Sequence, residues 1–231
     1  RSGCLDTIVL DKGIIIGDTT TPVAPFIYRV SVHDDNALDF DFSANRNYDF
    51  SKYSIYQKQT DNTFKKVKEI TDINDTSVII NGVNTLKTVY CFKVTTRNLC
   101  AYESDLLNTP EHCSIEAKAT GEIRKISVKW NPYRGWPVEQ YDIYRELVGN
   151  KGNYQYLSTV DGSTTSYIDT VIYCKTDHFY RIKAYELGGY QTYSWSDTTA
   201  ARPSTDHAVP PNETIRATVD FDKEITIEWT G

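Results

Sequence analysis

The sequence predicts an all-β chain made of two consecutive seven-stranded β-sandwiches. Three observations carry the prediction. Apolar and polar residues alternate in Phe26–Val32 (FIYRVSV), Leu38–Phe42 (LDFDF), Ile126–Trp130 (ISVKW) and Thr214–Phe221 (TIRATVDF), the period of a strand with one buried face. Turn-forming clusters punctuate the chain at His33–Asn36, Asp72–Asp75, Gly149–Gly152, Asp161–Gly162 and Gly188–Gly189, a pattern of short strands and turns that belongs to sandwiches. The chain also repeats itself: Tyr53-Ser-Ile-Tyr56 recurs 88 positions on as Tyr141-Asp-Ile-Tyr144, and Phe92-Lys-Val94 recurs at the same offset as Tyr180-Arg-Ile182. No stretch keeps apolar residues at i, i+3, i+4, i+7 for three turns, so helices are not expected.

Composition narrows the function classes. The 231 residues are 39% hydrophobic and 24% charged, with a net charge of −6. That length suits two domains of about 100 residues, and the hydrophobic content excludes wholesale disorder. No apolar run approaches the roughly 20 residues of a membrane helix, so membrane insertion is not expected. Both signs of charge are interspersed, which argues against a nucleic-acid surface. The chain opens at Arg1 and stops just after Glu224–Trp229 (EITIEW), and the expectation is a piece of a longer protein.

Each copy reads as strands A, B, C, C′, E, F and G. An aromatic lies late in strand B (Phe42, Trp130), a YxIY motif in strand C, and Thr88-Val-Tyr90-Cys-Phe92-Lys-Val94 supplies strand F of the first copy. Tyr90, Phe92 and Val94 share one strand face and can bury it. Ile126–Trp130 recurs as Ile225–Trp229, the opening of a third copy. Pro-containing stretches at Thr20–Pro25, Asn108–Glu111 and Pro203–Asn212 set the divisions. Residues 1–22 are read as the tail of a preceding module plus linker, 23–113 as module one, 114–204 as module two, and 205–231 as a linker with the first strands of a truncated module three.

This pattern resembles fibronectin type III domains over most of residues 23–204. His178 stands where the resemblance puts the corner tyrosine of module two, so an altered or absent corner hydrogen bond is expected. Tyr90-Cys-Phe-Lys-Val94, Asn98-Leu-Cys100, Glu103-Ser-Asp105 and Glu111-His-Cys113 are also similar to modules of large, type IX-secreted, gliding-motility-associated surface proteins of bacteria. That resemblance implies export to the cell surface and a role as stalk or adhesin.

Five Cys without CxxC spacing do not fit a zinc site, whereas disulfides in an oxidising compartment do. In a fibronectin-like F–G hairpin, Cys91 faces outward between Tyr90 and Phe92. With the turn centred near 101–102, Cys91 falls opposite Cys113. Cys100–Cys113 is the rival pairing. Cys100 otherwise sits at the hairpin tip, where a bridge to Cys4 of the preceding segment is open to it. Cys174 falls in the E–F turn of module two.

Catalytic signals are absent. His33, His112, His178 and His207 show no metal spacing, and no Gly-x-Ser-x-Gly elbow or phosphate loop appears. Asp34, Asp35, Asp39 and Asp41, or Asp72, Asn74 and Asp75, offer hard oxygens for Ca²⁺ but lack ordered loop spacing, and solvated turns are expected. No cofactor and no metal are expected, and the chain is not read as an enzyme. Aromatics are in excess. Tyr133, Arg134 and Trp136 cluster in the B–C loop of module two, with Tyr190, Tyr193 and Trp195 on its F–G turn and G strand. One reading makes these a carbohydrate- or protein-binding patch. The other packs them into the junction between modules. Trp195 has a separate reading, opposite Lys183 or Ala184 and beside Arg181, where cation–π stacking on the outer sheet face explains it without a ligand. The leading expectation is a non-catalytic spacer of a long extracellular protein, its partners being neighbouring modules of the same chain, with self-assembly or a glycan or protein ligand as further options. An accessory region of a secreted hydrolase is the remaining alternative.

Overall fold

The alternating runs fold into antiparallel strands in a computed structural model that describes residues 8–10, 13–15, 20–47, 49–147, 149–173, 175–188, 192–204, 216–219 and 225–228. A hairpin of β1 (Ile8–Leu10) and β2 (Gly13–Ile15) comes first. β3 (Ile27–Asp34), β4 (Ala37–Phe42), β5 (Phe50–Lys58), β6 (Phe64–Ile70), β7 (Ser77–Asn81), β8 (Cys91–Asn98) and β9 (His112–Cys113) follow. They form a sheet of order β3-β4-β7 and a sheet of order β6-β5-β8-β9. The arrangement then repeats with β10 (Ala117–Glu122), β11 (Lys125–Trp130), β12 (Val138–Glu146), β13 (Tyr154–Asp161), β14 (Ser166–Asp169), β15 (His178–Glu186), β16 (Tyr193–Trp195) and β17 (Thr199–Ala201). One sheet runs β10-β11-β14, the other β13-β12-β15-β16 with β17 also on β15. β18 (Arg216–Val219) pairs with β19 (Ile225–Glu228). The chain is all-β, with two tandem sandwiches of the fibronectin type III-like, immunoglobulin-like class.

The repeat has a packing cause. Each sandwich holds its own hydrophobic cluster. In the first, Phe42 meets Tyr53 edge-on at 4.9 Å; in the second, Trp130 meets Tyr141 edge-on at 5.4 Å. Both tyrosines are fully buried, so each hydroxyl needs a partner. Tyr53 Oη accepts the Asn45 amide (2.6 Å), and Tyr141 Oη accepts the Tyr133 amide (3.0 Å), each eight residues upstream. The first Tyr of YxIY therefore fills the core and ties down the B–C loop. Strand irregularities repeat too, at Ile55/Tyr56 and Ile143/Tyr144.

Two local expectations are refined. Tyr90 Oη accepts the Asn84 amide at 2.9 Å, whereas His178 Nε2 sits 3.1 Å from the amide of Tyr173, so the corner bond of module two is altered rather than lost. The F–G turn of module one centres on Cys100, not on 101–102: Arg97 bridges Glu103, and the Ser104 amide donates to Thr96 O. Cys91 nevertheless lies opposite Cys113 because the extra residues form a turn inside strand G. There Asp105 accepts the amides of Leu107 and Thr109, and Lys93 Nζ takes the carbonyls of Leu106 and Leu107 at 2.9 and 3.1 Å. The Pro110 stretch thus precedes β9, inside module one.

Candidate functional site

The junction of the two sandwiches gathers the chemistry. No slack linker separates them. Ser114 exchanges hydrogen bonds with Tyr90, through its amide to Tyr90 O (2.9 Å) and through its hydroxyl from the Tyr90 amide (2.9 Å). Asn131 Oδ1 accepts the Glu116 amide (2.7 Å), and the Ala117 amide donates to Asp197 (2.6 Å). Residues 114–117 are therefore pinned from both sides.

From this anchor the B–C loop of module two reaches into module one. Tyr133 and Trp136 stack at 4.0 Å and are only 5% and 6% exposed. Trp136 Nε1–H donates to Tyr28 O at 2.8 Å. The Val30 amide donates to Tyr133 Oη at 3.1 Å, and His112 Nδ1 lies 3.0 Å from that oxygen. Tyr133 Oη, with two lone pairs and one proton, accepts from Val30 and also partners Nδ1 of a neutral imidazole, the direction of that bond being set by the ring's tautomer. Burial holds His112 in that form by pushing its pKa down to about 4, and burial also raises the Tyr133 phenol well above its ordinary value. Gly135 lets the loop pass: at φ +144° a Cβ there would sit 2.2 Å from the His112 ring. The Cys113 amide donates to Arg134 O at 2.9 Å, while the Arg134 side chain stays largely exposed, 3.7 Å from Glu111.

The other half of the junction sets edge strand β3 against edge strand β16. Ser194 Oγ donates to Val30 O (2.7 Å), the Trp195 amide donates to Ser31 Oγ (2.9 Å), and Arg181 donates to Val32 O (3.1 Å). Edges carry unpaired main-chain groups, and here each edge satisfies the other. In module two the equivalent edge, β10, is covered by its own last strand instead. Gly121 makes room for that: a Cβ there would lie 1.7 Å from Arg202 O, and Ser204 bridges Ile123.

Trp195 lies opposite Lys183, with the Arg181 guanidinium 5.0 Å from its ring and Tyr144 edge-on at 5.0 Å. Lys183 Nζ stands over Tyr193 (4.0 Å), Tyr185 (4.7 Å) and Trp195 (5.3 Å). Cation–π contacts therefore occupy this ring within the chain. Tyr190 and Cys4 lie outside the described residues, as do Cys174 and His207. Cys91 and Cys113 form a disulfide (S–S 2.09 Å), and Cys100 is also disulfide-bonded.

The acidic clusters are engaged locally. Asp34 caps Asn36, Asp39 meets His33 at 3.0 Å, Asp41 pairs with Arg29 and Ser77, and Asp72 caps Asn74. Cys91, Glu111 and Cys113 converge, but the disulfide leaves no thiolate to ligate a metal. Sequence reasoning missed the receiving side of the junction: Tyr28, Val30 and Val32 act through backbone atoms, which leave no trace in side-chain identity. It also missed Asp197, a buried carboxyl that burial pushes up to about 7.

No family model matches the chain, and no curated protein matches it. Among solved structures, it is similar to the central fibronectin-III array of RIM-binding protein, with 14% identity over 92% of this chain and 81% of that one, at a TM-score of 0.35. It is also similar to the FN1–FN3 domains of chicken CNTN1, with 18% identity over 91% and 76%, at a TM-score of 0.31. Pectate lyase Pel3 from Pectobacterium carotovorum aligns at 15% identity and a TM-score of 0.33, over 41% of this chain and 28% of the lyase.

Proposed function

We propose that this chain is a non-catalytic spacer, a two-module strut within a long secreted cell-surface protein that acts as stalk or adhesin. The observation that carries the reading is the pinned junction: Tyr133 and Trp136 of one sandwich are buried against strand β3 of the other. A hydrogen bond that replaces water contributes about 1 kcal/mol net, so several of them plus two buried aromatics hold one inter-module angle. A spacer needs that property, and a pair of freely hinged modules lacks it. The disulfides at Cys91–Cys113 and at Cys100 support an oxidising, extracellular setting. The similarity to type IX-secreted surface modules extends the reading to the bacterial cell surface.

The test is small-angle scattering of the chain alongside acrylamide quenching of Trp136, with the other tryptophans replaced by Phe. A single rigid shape and a shielded Trp136 are expected. A broad distribution of inter-module angles with a readily quenched Trp136 overturns the strut. Loss of binding to a glycan or peptide on Trp136→Ala, with the shape unchanged, would favour a ligand-binding module instead.

A further inference from the structure

The internal repeat supplies its own control for one surface. β6 and β13 are the corresponding outer strands of the two four- and five-stranded sheets. Their registers match residue for residue. Tyr56 faces Lys66 as Tyr144 faces Tyr156; Gln57 faces Lys65 as Arg145 faces Gln155; Ile55 faces Lys68 as Ile143 faces Ser158. Module one thus lines this edge with Lys65, Lys66 and Lys68. Module two puts Gln155, Tyr156 and Ser158 at the same places and carries no charge from Tyr154 to Val160.

Lysines on an outer strand are a common device against edge-to-edge pairing. β6 has it, and its lysines are exposed. β13 lacks it, carries no proline, and is rich in residues that favour strands. Tyr156 is 56% exposed beside Tyr144. Of the charged groups beside β13, Asp142 accepts from Thr159 and Arg145 pairs with Asp169, while exposed Asp161 at the strand's end accepts from Ser163.

We infer that β13 is a self-association edge, whose partner is β13 of a second copy of this chain. The occupant follows from charge. A two-fold axis sets each strand antiparallel to its own copy, so residue i meets j while j meets i, and the same set of residues lies on both sides of the seam. On β6 that operation gathers Lys65, Lys66 and Lys68 from both copies along one seam, which is unfavourable. On β13 it opposes only neutral residues over Tyr154–Val160, joins two five-stranded sheets into one, and extends the Tyr144–Tyr156 contact across the seam. The inference goes beyond the spacer reading and does not need it, since junction stiffness is a property of one chain and pairing a property of two.

The experiment is sedimentation equilibrium of the 231-residue chain across a concentration series. A reversible monomer–dimer equilibrium is expected. Transplanting the edge of module one as Gln155→Lys, Tyr156→Lys and Ser158→Lys is expected to weaken it by about tenfold or more. The fold already carries these residues at the same register. The reverse exchange, Lys65→Gln with Lys66→Tyr and Lys68→Ser, is expected to produce species larger than dimers. A wild-type chain that stays monomeric throughout, or a dimer untouched by the transplant, overturns the inference. If the transplanted chain does not fold, amide exchange on the wild type decides. Exchange at Tyr154 and Tyr156 that slows with concentration supports pairing, and exchange indifferent to concentration refutes it.

Discussion

The Val30 amide donates its proton to the phenolic oxygen of Tyr133, 3.1 Å away and 103 positions further along the chain. Tyr133 stands where Asn45 stands in module one, because both supply the amide that caps a buried tyrosine of strand C. The repeat thus fixes the backbone of this loop, and the side chain at the position is what differs. Here that side chain crosses into the neighbouring sandwich.

Tyr133→Phe keeps the ring and its stack on Trp136 but removes the oxygen. The Val30 amide then loses its acceptor and His112 Nδ1 its hydrogen-bond partner. A buried polar group left unpaired costs about 1–3 kcal/mol. Guanidinium denaturation should show a loss of that size, together with faster quenching of Trp136. A variant as stable and as shielded as the wild type would mean that the hydroxyl is not a junction tie.

Two buried groups give opposing pH dependences. His112 has its pKa pushed down to about 4, so between pH 4 and its ordinary value near 6.5 the unfolded chain binds the extra proton, and stability rises with pH there. Asp197 has its carboxyl pushed up to about 7. From its ordinary value near 4 up to pH 7 the folded chain holds the extra proton, so stability falls as pH rises. Each slope approaches about 1.4 kcal/mol per pH unit, and in the wild type they largely cancel. His112→Gln should expose a stability that declines from pH 4 to 7, and Asp197→Asn one that climbs to about pH 6.5. Denaturant titrations across that range read both; variants with the wild-type profile would show that neither group is perturbed by folding.

How much of this was legible in the sequence depended on whether a residue acts within its own repeat. Phe42 and Trp130 share a slot because both pack on the first tyrosine of YxIY, and period-two patterning exposes that. Trp195 opposite Lys183 follows from counting back from a hairpin turn. The F–G turn of module one escaped the same counting because Asp105 nucleates a second turn inside strand G, which shifts the near register while leaving the Cys91–Cys113 pair opposed. The two fates of Tyr133 and Trp136, exposed patch or buried junction, look alike in sequence, since the surface that receives them is the backbone of Tyr28 and Val30.

Trp130 offers a test of that shared slot. Its Nε1–H is buried with no hydrogen-bond partner, a cost that Phe42 avoids at the same place. Trp130→Phe removes the unpaired donor while giving up some ring contact, so the net change should stay within about 1 kcal/mol, far below the 3–5 kcal/mol of a Trp→Ala truncation. Thermal denaturation of both variants checks it. A Phe variant as damaged as the Ala variant would show that indole shape, not aromatic filling, sets the slot.

Gly135 should tolerate no side chain. An added Cβ would meet the His112 ring at 2.2 Å, in a backbone conformation that side chains rarely adopt. Gly135→Ala is expected to push the loop off module one, destabilising the chain by about 1–3 kcal/mol and unshielding Trp136. Normal quenching in this variant would indicate that the loop adjusts without leaving the junction.

The Cys91–Cys113 disulfide closes a separation of 22 residues and holds β9, whose Cys113 amide binds Arg134 O and whose His112 faces Tyr133. Replacing both cysteines by serine should cost about 3 kcal/mol through the freed unfolded chain. Because β9 is the shelf on which the B–C loop of module two rests, the same variant should also loosen the junction, seen as greater Trp136 quenching well below the unfolding transition. A lower melting point with Trp136 still shielded would confine the disulfide to module one and leave the junction held by β3 and β16 alone.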